Sequence, residues 1–266
     1  MASPVEAHAA PTVEDRLEPW VYGGVLAALV AAAWASLGLA DALGAGAWLS
    51  HAGLGETGAF SATRLATFLA AWTLMSVAMM LPSTFPLVRV FLTITDGSGR
   101  LLALLCAGYL GIWALFGAAA LVVDLGLHRL AEGSAWLAAR PERLPGALLL
   151  GAGLFQFSPL KYSCLRQCRS PIGFVVQHWR GASRGLRALR VGTLHGVYCV
   201  GCCWALMLLM FAVGGANLGW MLALAAAMFV EKAVAWGRRV TVGVGVVLAG
   251  WGLGLLAGAP GVPRPF

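Results

Sequence analysis

The stretch that decides the architecture is Val191–Ala212, VGTLHGVYCVGCCWALMLLMFA. It is apolar enough to lie in hydrocarbon and, at about 1.5 Å per residue, long enough to cross most of a bilayer. It also carries His195, Cys199, Cys202, Cys203, Met207 and Met210. The steps between them are 4, 3, 1, 4 and 3, so at about 3.6 residues per turn all six share one helix face. Imidazole, thiol and thioether in one stripe form a soft donor set suited to Cu(I) or Zn(II). A row of thiols also suits redox chemistry, and both readings place function inside the membrane.

Outward from that helix, the composition supports a membrane protein. The chain is 60% hydrophobic and only 11% charged, too few charges to coat a soluble surface of 266 residues. No segment alternates with the period of a membrane β-barrel. The expected fold is all-α: a polytopic helical membrane protein of about seven transmembrane helices. The spans are Trp20–Leu43, Arg64–Ile94, Leu101–Leu127, Pro145–Leu160, Val191–Val213, Leu218–Trp236 and Val240–Gly258. Pro82 and Pro86 should kink or end the second. Residues 1–19 read as a disordered polar N-terminal tail, 20–259 as the transmembrane domain and 260–266 as a C-terminal tail.

The net charge of +7 would suggest nucleic acid in a soluble protein, but here it gathers in one loop and reports topology. Segment 161–190 holds Lys161, Arg166, Arg169, Arg180, Arg184, Arg187 and Arg190 without a single acid, which predicts a cytoplasmic location. Counting spans outward, the N-terminus lies inside and the C-terminus outside. No nucleic-acid partner is expected.

A second sulfur pair, Cys164 and Cys168, stands in SPLKYSCLRQCRSP, where a helical step of four puts both thiols on one face. Cys106 stands alone in LLALLCAGYL and receives no role; a single membrane cysteine is usually a small apolar filler. Cys164 and Cys168 should lie nearer the cytoplasmic face than Cys199, nine residues past Arg190. One shared site therefore requires the fifth helix to tilt or the chain after residue 161 to re-enter, where Pro159 and Pro171 bracket a segment that can do so; a ladder of sites along a path is the other solution. The i, i+3 spacing of Cys199 and Cys202 on a regular helix favours ligation over a disulfide. Met75 and Met79 share a face on the second span, as do Met221, Met228 and Glu231 on the sixth; packing is the ordinary role of any one methionine. Glu231, an intramembrane acid, is a candidate for balancing a bound ion or relaying a proton, whereas Lys232 beside it reads as a snorkelling helix end. Asp124 and His128, at i and i+4, form a secondary metal possibility.

The runs MSVAMMLPSTFP, QFSPLKYSCLRQCRSP, HGVYCVGCCWALM and FVEK, in that order, resemble a bacterial domain-of-unknown-function family described as predicted metal-binding integral membrane proteins. The resemblance covers roughly Leu65 to Ala235 and implies Cys164, Cys168, Cys199, Cys202, Cys203 and Glu231 as the positions that matter. It also implies a bacterial inner membrane.

The leading expectation is binding and handling of a soft ion, copper first and zinc second, through Cys164, Cys168, His195, Cys199, Cys202, Cys203, Met207 and Glu231. A membrane oxidoreductase, or a subunit of a membrane enzyme complex, is the first alternative. A structural membrane subunit, its glycine-rich helices packed on other subunits, is the second. Beyond the metal ion, the lipid bilayer is the expected partner. No nucleotide-binding motif is present, so this chain alone is not expected to be an ATP-driven pump.

Overall fold

In a computed structural model the chain is described over residues 19–43, 62–138, 140, 142–181, 183–212 and 217–259. Both expected tails, 1–19 and 260–266, therefore lie almost wholly outside the described residues. The elements among those residues are helical. In chain order they are α1 (Pro19–Ala42), α2 (Ala62–Met80), a 3₁₀ turn (Leu81–Thr84), α3 (Phe85–Ile94), α4 (Gly99–Glu132), α5 (Ala135–Ala138), α6 (Arg143–Phe155), α7 (Pro159–Cys168), α8 (Pro171–His178), α9 (Arg184–Ala212), α10 (Leu218–Ala233) and α11 (Gly237–Leu256).

Five stretches among the described residues are long and apolar enough to cross a membrane: Val21–Ala42, Leu65–Ile94, Gly99–Leu127, Arg184–Met210 and Gly237–Leu256. The expected count was seven. The fourth and sixth expected spans are instead helices α6 and α10, of 13 and 16 residues. Both fall short of the roughly 20 residues that a hydrocarbon core demands. α6 ends before Pro159, which opens a new helix at its N1 position behind a Ser158 cap whose hydroxyl accepts from the Lys161 N–H. α10 stops at Ala233, so the expected link at 237–239 is already the first turn of α11.

The second stretch is broken where its prolines predict. Pro82 opens the 3₁₀ turn and Pro86 the first turn of α3, each at a place where a missing backbone donor costs least. The break frees the Met80 carbonyl, which accepts the hydroxyl of Ser83 at 2.7 Å.

α9 is the central helix, packed against α4, α7 and α6, while α6 lies on α11 and α10 spans from α11 to α2. Its membrane-length window is 56% buried within the protein, against 11% for α1 at the periphery. Its contact with α4 is close because Gly192 faces the Leu105 carbonyl, where any Cβ would collide. The sulfur face of α9 thus points into the protein interior.

Candidate metal centre

Three local features deliver the site. The first is the regular helix α9, which buries His195, Cys199, Cys202, Cys203, Met207 and Met210. The second is α7, laid against α9. Because Pro159 and Pro171 confine it to ten residues, it returns the chain to α9 instead of leaving the protein. The third is the proline break after α2, which brings Met80 and Ser83 to the same region.

The thiols approach one another along α9. Cys202 Sγ stands 3.4 Å from Cys203 Sγ and 4.0 Å from Cys168 Sγ of α7. It also lies 3.2 Å from the Cys199 carbonyl. With metal–sulfur bonds of about 2.3 Å, two thiolates on one ion stand about 3.8 to 4.6 Å apart, between tetrahedral and linear geometry. The Cys168–Cys202 separation falls in that window, and the Cys202–Cys203 separation is just short of it. All six cysteines are free. Among the described residues no group of three or more His, Cys, Asp and Glu side chains converges closely enough to hold an ion. The sulfurs approach as pairs.

Cys199 sits one turn earlier on the same face and has a different environment. The ammonium of Lys232 donates to its sulfur at 3.0 Å, and the Tyr109 hydroxyl lies 3.1 Å from it. The same ammonium reaches Ser83 Oγ at 3.2 Å and Met80 Sδ at 3.7 Å. Tyr109 also approaches the Met80 carbonyl at 3.4 Å. Lys232 is only 7% exposed. The expectation that it snorkels outward is therefore corrected: α10 is too short, and α11 turns back too soon, for its side chain to escape.

The remaining expected residues occupy distinct places. Cys164 packs its sulfur over Gly201, close to where a Cβ would stand, and makes no thiol contact comparable to that of Cys168. His195 is buried between the rings of Tyr109 and Phe174, at 5.7 and 5.4 Å between centroids, and among the described residues its Nδ1 has no hydrogen-bond partner. Met207 lies fully buried one turn beyond Cys203. Glu231 points inward as expected, but its Oε2 takes the ammonium of Lys161 at 2.7 Å, so its charge is matched within the protein. The side chain of His128, part of the secondary possibility, lies outside the described residues.

Four residues were not singled out by sequence reasoning in the roles they hold: Lys232, Tyr109, Met80 and Arg169. Arg169, directly after Cys168, donates to the carbonyls of Glu231 at 3.1 Å, Val234 at 2.8 Å and Ala235 at 3.1 Å. That caps the free carbonyls at the end of α10 with a cation. The run MMLPS and the pair EK carried the signal for Met80 and Lys232; only the fold shows that they meet.

A sulfur-rich interior beside a thioether is the donor chemistry of a soft metal, and comparison with known proteins agrees. No curated protein and no solved structure matches the chain. A family model described as PpoB2, copper chaperone, matches residues 69–255, from the middle of α2 to the last turn of α11. With that much of its length matched, the chain belongs to the PpoB2 copper chaperone family.

Proposed function

We propose that this protein is an integral membrane copper chaperone that carries Cu(I) on Cys168, Cys199, Cys202 and Cys203. One observation carries the reading: Cys168 of α7 comes within 4.0 Å of Cys202 of α9, two thiols that the chain separates by 34 residues. Buried polar groups in a membrane interior are costly unless matched, and a bound cation matches thiolates. Cu(I) is well served by two soft ligands, and the thioether of Met80 lies beside the site. Zinc, which favours four ligands, is the second choice. Part-buried Cys168, less enclosed than the thiols of α9, is the one at which an incoming ion first exchanges ligands, and the buried thiols of α9 receive it. His195 and Met207, one turn to either side of the thiols, serve as auxiliary donors. Cys164 supports α7 on α9, and Glu231 holds the frame through Lys161.

In this reading α6, lengthened by α7 behind it, and the short α10 complete a seven-helix arrangement in a bacterial inner membrane, with the arginines of 166–190 on the cytoplasmic side. A reporter fused after Phe266 is then active on the outer face.

The test is an anaerobic titration of the purified protein with Cu(I) against a chromogenic chelator. Wild type takes up a stoichiometric amount. A variant with Cys199, Cys202 and Cys203 all changed to Ser takes up none and still inserts, and Cys168→Ser slows uptake. A triple variant that retains stoichiometric copper refutes the assignment.

A further inference from the structure

We propose that Lys232 determines the charge selectivity of the thiol site: its ammonium, fixed beside Cys199, favours a monovalent soft ion over a divalent one. The inference rests on the copper reading above and goes beyond it, since thiols and thioethers alone accept soft ions of either charge.

The Lys232 ammonium is buried between α9 and the break after α2. Its contacts are Cys199 Sγ at 3.0 Å, Ser83 Oγ at 3.2 Å and Met80 Sδ at 3.7 Å. Serine oxygen and thioether are neutral. Among the described residues Lys232 meets no carboxylate, because Glu231, its neighbour in sequence, is engaged by Lys161. A buried ammonium needs an anion, and the sulfur of Cys199 is the group placed to provide one. The charge is also held in place. Lys232 comes from the last turn of α10, whose end Arg169 ties down through three carbonyl bonds. Ser83 gives the ammonium a second acceptor, so it keeps a partner when the Cys199 sulfur turns to a metal.

A fixed positive charge at hydrogen-bond distance from a ligating sulfur repels an incoming ion in proportion to that ion's charge. A dication suffers twice the repulsion of a monocation at the same place, and the low-dielectric surroundings screen neither. Removing the ammonium therefore relieves a divalent ion more than a monovalent one, however many thiolates take part. The site thus discriminates by net charge where its sulfur chemistry does not.

The experiment measures the affinities of wild type, Lys232→Met and Lys232→Arg for Cu(I) and for Zn(II), each by competition with a chelator in the same detergent. The expected result is a Cu(I)-to-Zn(II) preference that falls about tenfold or more in Lys232→Met and stays near wild type in Lys232→Arg. An unchanged preference in Lys232→Met, with copper still bound, overturns the inference, as does an equal fall in both variants, which would trace the effect to shape. Wild type that binds no Cu(I) overturns instead the copper reading on which it rests. If Lys232→Met does not fold, Lys232→Gln replaces it. If neither folds, wild type is tested with Ag(I) and Cd(II), both soft and unlike in charge; Cd(II) binding as tight as Ag(I) overturns the proposal.

Discussion

Two lysines are buried in this protein, and they differ in what they face. Lys161 of α7 meets the carboxylate of Glu231 at 2.7 Å, with both side chains sealed from solvent. Lys232 of α10, one residue from that carboxylate in sequence, meets the sulfur of Cys199 at 3.0 Å. The first pair is closed: ammonium and carboxylate match each other inside the protein, and neither can leave without stranding the other. The second pair is open, because the sulfur that faces the ammonium is also a soft metal donor. Under the proposed copper reading a metal ion meets that sulfur beside the lysine, whereas the carboxylate of Glu231 is already taken by Lys161. The same residue type thus serves as frame in one place and as part of the working site in the other, and the counter-ion makes the difference.

Substitutions can break this contrast, and the largest effect belongs to the closed pair. Lys161→Met leaves a buried carboxylate alone and should cost about 3–5 kcal/mol of stability, read as a fall in melting temperature in detergent. The double change Lys161→Met with Glu231→Met should recover most of that loss, while copper bound per folded molecule stays at the wild-type level. A double variant as unstable as the single one would mean that the pair is held for some reason other than mutual charge.

Lys232→Met should destabilise less, by about 1–2 kcal/mol, since Cys199 can keep its proton and the lost contacts are hydrogen bonds. If it proves as damaging as Lys161→Met, the two pairs are alike and the contrast fails. Tyr109→Phe removes the hydroxyl contact of the Cys199 sulfur and should cost about 1 kcal/mol, with a small change in copper affinity. Cys106→Ser, on α4 and away from the other sulfurs, should leave copper uptake unchanged in the same titration.

Much of this arrangement is legible in the chain. Steps of 3 and 4 between His195 and Met210 set one face of α9, and helical periodicity does not depend on neighbours. Pro82, Pro86, Pro159 and Pro171 place breaks because their missing donors act locally. The return of α7 to α9 was expected as a condition for Cys168 to join the α9 thiols, and the structure meets it. What the chain alone does not reveal depends on tertiary packing. A lysine at the end of an apolar helix reads as snorkelling; only the shortness of α10 and the proximity of the break at Met80 turn Lys232 inward. Equal spacing makes Cys164 and Cys168 equivalent, yet Gly201 receives one and Cys202 the other, a distinction of register between α7 and α9. The count of spans suffers likewise, because apolar runs extend past the points where α6 and α10 end.

Arg169 gives the assembly a mechanical property. Its guanidinium grips the end of α10 while its backbone follows directly on Cys168. The Cys168 thiol and the turn bearing Lys232 are therefore joined through a single residue, and any shift of α7 at Cys168 is shared by the end of α10 and the ammonium beside Cys199.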